Sequence, residues 1–388
     1  MERFRRFVVP LLLLLAGISL ILFYLGGFSQ PGDPNGDEPI NVGDGLGLMA
    51  VTAIPEPTAT SGVLPTPLPT LSQSAVAPDL PENPIERFGL TGSPEDVDEA
   101  LAAGLRFGNY AGWQVRVDPP GAEGVTFWQV VRVSQEGVLL PWDELAAAIA
   151  ANPGSYWIVG NEPDVVVQDN VTPQRYAELY HMLYTFIKGR DPTARLVIGG
   201  VSQPTPLRMA YLDIVLETYR EKYGRPMPVD VWNVHTFILR EERDSWGIGI
   251  PPGMSDELAI RYEVEDYDDM DIFRENIVNF RAWMAERGYA DRPLVVSEYG
   301  FLMPHDFGFP PEQVADFMTT TFDYFLTARN ETGYPADDYR LVQWWFWFVF
   351  ADSQEPFSAS FLYDSNAGQL TTLGEAYVAY FNALAPDE

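Results

Sequence analysis

The chain contains no cysteine. That absence removes a disulfide framework, a thiolate zinc site and a thiol nucleophile, while leaving the redox compartment open. Histidine is nearly as scarce. His181, His235 and His305 are spread along 388 residues with no His-x-x-x-His pair, so a catalytic metal built on paired histidines is not expected, and no cofactor is. Basic residues number 24 against 55 acidic ones, giving a formal net charge of −31. A field of that sign repels nucleic acid and anionic membrane surfaces, which require clustered Lys and Arg. Solubility is the blander reading of the acidity. A Gly-x-Ser-x-Gly elbow is missing, which argues against a serine esterase or peptidase. So is an early glycine-rich phosphate loop, which argues against a doubly wound nucleotide-binding sheet.

What is present divides the chain into three parts. Met1–Arg6 holds three arginines, and no charged residue follows until Asp33. Phe7–Leu25 is dominated by Leu, Val, Ile and Phe, close to the ~20 residues that span a bilayer. Residues 1–28 therefore read as a signal anchor with a cytoplasmic N-terminus. A cleaved signal peptide is the alternative. The first reading places the remainder on the cell surface, tied to the membrane through this segment alone; the second makes it secreted. Residues 29–84 shift to Pro, Thr, Gly, Ser and Ala, and Ile54–Leu71 has too many prolines for a helix or a ladder. They read as a disordered, extended linker. Residues 85–388 remain as the folded domain, expected to be monomeric.

In that domain short apolar runs alternate with amphipathic segments at helical spacing, the pattern of α/β architecture. Strands are expected at Phe88–Leu90, Leu105–Tyr110, Thr126–Val133, Tyr156–Gly160, Arg195–Gly199, Val229–Phe237, Pro293–Ser297 and Leu341–Phe350. Helices are expected at Pro94–Ala102, Trp142–Ala151, Pro173–Lys188 (with Thr172 as N-cap), Leu207–Lys222, Asp271–Arg287, Pro311–Ala328 and Leu373–Leu384. Eight strands, most followed by a helix, over roughly 300 residues match a (β/α)8 TIM barrel. An acidic insertion, Leu239–Asp268, interrupts the alternation, and its aspartates read as a solvated face or helix start.

Barrel chemistry sits at the C-terminal ends of strands. Glu162 and Glu298 end strands four and seven, each directly after an apolar run where an ionisable group is costly to bury. Glycoside hydrolysis uses such a pair: one carboxylic acid protonates the leaving oxygen and the other attacks the anomeric carbon. Facing carboxylates also help to keep one of the two protonated.

The motifs carry a family resemblance. Asn161-Glu162-Pro163 after strand four and Ser297-Glu298-Tyr299-Gly300 after strand seven resemble clan A of the glycoside hydrolases. Gly160–Asn170 (GNEPDVVVQDN), followed by Thr172-Pro173 and a helix, is similar to the glycosyl hydrolase catalytic-core group, which includes the β-1,3-glucanases of family 128. Families 5 and 39 are less similar. The resemblance implies a retaining enzyme with Glu162 as acid/base and Glu298 as nucleophile, and a β-glucan as the expected substrate. Retention in turn implies carboxyl groups about 5–5.5 Å apart across an open cleft. It assigns Asn161 to a sugar hydroxyl and His235 to the nucleophile or the sugar. Tyr299, in the same motif, is a further candidate, as is an aromatic at the end of strand eight. Trp345 and Trp347 share one face of that strand and Trp344 the other; either face could look inward, and Trp345 and Trp347 are the candidates. Arg106 and Asn109 are candidates on the second strand, and Trp113 and Trp246 in loops that would extend a cleft. The rival reading is a non-catalytic carbohydrate-binding surface protein on the same scaffold. Transglycosylation would use the same two glutamates.

Overall fold

The computed structural model describes residues 80–303, 308–351 and 355–384. The anchor expected at 1–28 lies outside these residues, as does the linker up to residue 79. Among the described residues no helix is long and apolar enough to cross a membrane.

Eight parallel strands form the core of the fold: β1 (Phe88–Thr91), β2 (Asn109–Ala111), β3 (Thr126–Val131), β4 (Tyr156–Val159), β5 (Arg195–Ile198), β6 (Trp232–His235), β7 (Leu294–Gly300) and β8 (Trp344–Phe348). They pair in the order β5-β4-β3-β2-β1-β8-β7-β6. The two ends of that order meet through isolated parallel bridges, Val197 to Val231 and Val201 to Val234. The ring is therefore nearly closed, a (β/α)8 barrel as expected.

The helices between the strands are α1 (Val97–Ala102), α2 (Trp142–Ala151), α3 (Pro173–Lys188), α4 (Pro206–Tyr223), α5 (Met270–Glu286), α6 (Pro311–Thr327) and α7 (Thr372–Leu384). Proline opens α3, α4 and α6, a position where its missing N–H is not needed. Thr172 occupies the N-cap of α3, but its side chain makes no cap bond; it pairs with Gln135 instead. Asp269 caps α5 by accepting the N–H groups of Asp271 and Ile272. That part of the acidic run is thus a helix start. Three short strands were not expected from the sequence: Arg329–Tyr334, which pairs back on Arg340 outside the barrel, and the antiparallel pair Tyr363–Asp364 and Gln369–Leu370.

Strand alternation sorts the apolar residues into two layers. Trp128, Val130, Tyr156, Ile158, Val197, Val231, Val295, Trp344 and Phe346 fill the barrel interior. Trp157, Val159, Trp232, Val234, Val296, Trp345 and Trp347 face the helices. The interior is aromatic toward its N-terminal end: Trp128 stacks on Tyr156 with centroids 4.1 Å apart and meets Trp344 and Phe346 edge-on. Gly89 makes room for this plug, since a Cβ there would lie 2.4 Å from the Phe346 ring. Below it, the Arg87 guanidinium grips both oxygens of Asp337 at 2.8 Å.

Candidate active site

The opposite, C-terminal end of the barrel gathers Glu162, His235 and Glu298 from strands four, six and seven. One ligating atom from each lies within 4.8 Å of the others. All three side chains are buried; Glu162 and Glu298 each retain 7% exposure.

Local backbone features put them there. In β7, His235 pairs with Glu298 and Val234 with Val296, so Ser297 is an extra residue, a bulge. A bulge re-aims side chains. Here it turns two consecutive residues, Ser297 and Glu298, toward the same cavity. Tyr299 is thereby sent outward. On strand four, Glu162 adopts φ +43°, a left-handed conformation rare for a residue with a side chain. Its N–H donates to the Gly200 carbonyl at 3.1 Å. Gly200 also leaves room for the imidazole, because a Cβ there would come within 2.5 Å of His235.

His235 Nδ1 is 3.0 Å from Glu162 Oε1 and 3.8 Å from Glu298 Oε2, and Nε2 is 3.2 Å from the Ser297 hydroxyl. Trp113, on the loop after β2, donates its indole N–H to Glu298 Oε1 at 2.7 Å. Its ring meets Phe348 edge-on at 5.9 Å. Asn161, Thr91, Ala111, Gly112, Val130 and Ile158 complete the lining of a small cavity of about 10 Å³. An open cleft was expected. The structure has a narrow cavity instead, because Trp113 reaches across Glu298.

Burial pushes the Glu298 carboxyl up to about 7, with the Glu162 charge adding and His235 opposing. Burial also works against charging His235, but Glu298 and Glu162 more than offset it, and its pKa is raised. Glu298 and the imidazole thus hold on to protons into the neutral range. The arrangement can present one protonated and one ionised oxygen to the same small cavity. As a ligand set, the three side chains could also hold a divalent cation. Because its members come from three strands, no spacing motif announces such a set.

Of the candidates read from the sequence, Glu162, Glu298, Asn161, His235 and Trp113 come together at this cavity. Five others do not. Tyr299, Trp345 and Trp347 are fully buried on the helix-facing side. Tyr299 packs against Phe273, Phe325 and Trp347, Trp345 against Phe88 and Phe325, and Trp347 donates to the Ser360 carbonyl. The even-numbered residues of β8 are the inward ones, so Phe348 is the aromatic at its inner end. Asn109 begins β2 at the far end of the barrel, where it donates to the Glu86 and Phe88 carbonyls and accepts from Trp128. Arg106 precedes it, with its carbonyl accepting from Tyr377. Trp246 packs partly buried against the helix-facing core. Residues the sequence reading missed include Ser297, Phe348 and the partners of the strand-four loop, half-buried Arg132 and buried Ser202, Arg208 and Glu241. Asp164 and Asp169 lay inside the quoted GNEPDVVVQDN motif and were the available signal.

No family model matches the chain, and neither does any curated protein. The fold is shared with solved structures of glycoside hydrolase family 128. One is a curdlan-specific exo-β-1,3-glucanase from Blastomyces gilchristii, in complex with glucose, at 18% identity and TM-score 0.51 over 76% of this chain and 99% of that one. A second is an endo-β-1,3-glucanase from Pseudomonas viridiflava, at 20% identity and TM-score 0.51 over 76% and 97%. A third is an endo-β-1,3-glucanase from Amycolatopsis mediterranei in complex with laminarihexaose, at 18% identity and TM-score 0.51 over 76% and 99%.

Proposed function

We propose that the chain is a retaining glycoside hydrolase that cleaves a β-glucan by double displacement, with Glu298 as nucleophile and Glu162 as acid/base. The observation that carries this reading is the short spacing of the two carboxylates, with oxygens within 4.8 Å at the C-terminal end of a barrel. An inverting enzyme needs roughly 6.5–9.5 Å between its carboxyl groups to admit a water. The Trp113 N–H works against the rise that burial gives the Glu298 carboxyl, toward the ionised state a nucleophile requires. Glu162 gives its proton to the departing glycosidic oxygen, then takes one from the water that opens the glycosyl-enzyme. The Asn161 side chain is available to a sugar hydroxyl, and Phe348 offers an aromatic floor. The β-1,3-glucanase fold shared with the solved structures supports a β-glucan as substrate. Residues 1–28 as a membrane anchor, and hence a cell-surface position, complete the proposal.

The test is hydrolysis of β-glucans, xylans and mannans by the full chain, beside Glu298→Gln and Glu162→Gln. The proposal expects β-glucan cleavage by wild type and its loss in both variants. Binding without cleavage by wild type, unchanged in Glu298→Gln, would establish the non-catalytic rival. Membrane fractionation of cells making the chain, with and without residues 1–28, tests the anchor: only the complete chain should sediment with membranes.

A further inference from the structure

The strand-four loop is held from two sides by ion pairs, one buried and one part-buried. On one side, Asp164 accepts the Ser202 hydroxyl at 2.7 Å and Arg208 Nε at 2.8 Å. Arg208 Nε also meets the Ser202 hydroxyl, its Nη1 pairs with Glu241, and its Nη2 donates to the Gly249 carbonyl. Glu241 in turn accepts from Gln203, Thr205 and the Ile260 N–H. Asp164, Arg208 and Glu241 are all 0% exposed. On the other side, Asp169 pairs with Arg132 and accepts the N–H groups of Asn161 at 2.8 Å and Val133 at 3.2 Å.

Between these anchors stands Glu162, in its left-handed conformation. The residue before it is tied through its N–H to Asp169. The residue two after it is tied through its carboxylate to Ser202 and Arg208. Its own N–H goes to Gly200, two residues before Ser202. One guanidinium and two carboxylates with no exposure are a poor way to stabilise a loop, since well-packed apolar groups of similar volume often do as well or better. Burial raises the carboxyls of Asp164 and Asp169 against their arginine partners, so the pairs stand at a cost. A conformation that costs energy persists where its surroundings over-determine it.

We propose that the Asp164–Arg208 and Asp169–Arg132 pairs are positioning clamps that hold Glu162 left-handed, with its carboxyl against His235 and facing Glu298. The proposal rests on the reading of Glu162 as acid/base. Arg208 and Arg132 touch no reacting atom in it. They act through the backbone on either side of Glu162.

The test uses Asp164→Asn and Asp169→Asn in the full chain, each nearly isosteric. Crystal structures of both should show Glu162 leaving the left-handed region and losing its contact with His235; unchanged Glu162 geometry in both would overturn the proposal. That arm does not depend on activity, so it decides the clamp even if wild type cleaves no glycan, a result that would sink the enzyme reading alone. The second arm compares aryl glycosides of a β-1,3-glucan trisaccharide with poor and activated leaving groups. A displaced acid should lower kcat on the poor leaving group about 100-fold, at little change in KM, while the activated one is largely spared. Equal losses on both substrates would overturn the proposal. Asp337→Asn, in the buried pair at the other end of the barrel, should lower Tm and leave the leaving-group dependence as in wild type; the same selective loss there would also overturn it. Ser202→Ala removes one donor from Asp164 and keeps every charge. Should the Asn variants fail to fold, it should still produce the selective loss at about 10-fold, and an unselective loss would count against the clamps.

Discussion

The Arg87–Asp337 pair at one end of the barrel and the Glu162–Glu298 pair at the other treat buried charge differently. At the N-terminal end Arg87 grips Asp337 with two bonds, and Asn109 is saturated by two carbonyls and the Trp128 indole. At the C-terminal end Glu162 and Glu298 face each other with one imidazole between them, in a cavity that raises the Glu298 carboxyl to about 7. Different strands of one barrel supply the two ends, with a bulge and a left-handed residue aiming the glutamates. What differs is that one end is arranged to minimise its electrostatic energy and the other to keep a proton poised. A site of that kind is where function is expected, since perturbed carboxylates with a named partner are uncommon as mere structure.

The contrast can be broken most forcefully at the glutamates. Glu162→Gln should lower kcat about 10²–10⁴-fold, the range a general acid contributes, and Glu298→Gln at least as much, read by β-glucan hydrolysis. The same Glu298→Gln variant should alter the pH dependence of stability. Its folded pKa lies above the unfolded value, so the associated stability is full below the unfolded pKa of 4.5 and lost as pH rises through about 7. The loss is roughly 3 kcal/mol. The variant should therefore flatten the Tm-versus-pH curve between those limits, and an unchanged curve would refute the raised pKa.

Arg87→Met at the opposite end should do the reverse: about 1–3 kcal/mol less stability by denaturant titration, since Asp337 loses its two-bond partner and keeps only Arg340 and Gln343, with kcat and KM unaltered. Trp113→Phe comes next. Removing a bond to a charged acceptor is worth about 1.5–3 kcal/mol, so kcat should fall ~10–100-fold, and the acid limb of the pH–rate profile should move upward as Glu298 loses a donor to its anion. Trp345→Phe should have the smallest effect, about 1–3 kcal/mol of stability with no change in KM. A raised KM would return Trp345 to the sugar site.

Much of this was readable from residues alone, and the parts that were not share a cause. The barrel, its eight strands and most helix ends follow from periodicity and from Pro, Thr and Asp at helix starts. The two glutamates stood out because a charge directly after an apolar run is costly to bury, although a loop or structural carboxylate was the blander reading of each. The side chains misplaced were those whose facing depends on register. In β8, alternation links Trp345 with Trp347 and Trp344 with Phe346, but only the ring of neighbouring strands determines which pair looks inward. In β7 a bulge at Ser297 resets the phase, so Tyr299 points outward although it follows Glu298 directly. Arg208 escaped notice because an arginine within an amphipathic helix reads as a solvated charge; its burial depends on Asp164 and Glu241, 44 and 33 positions away.

The central claim is that the two carboxylates act by double displacement. Proton NMR of the first products released from a β-1,3-glucan oligosaccharide tests it most directly. The account predicts that the β-anomer appears first and mutarotates to the equilibrium mixture. Initial release of the α-anomer would show single displacement and contradict the assignment of Glu298 as a nucleophile.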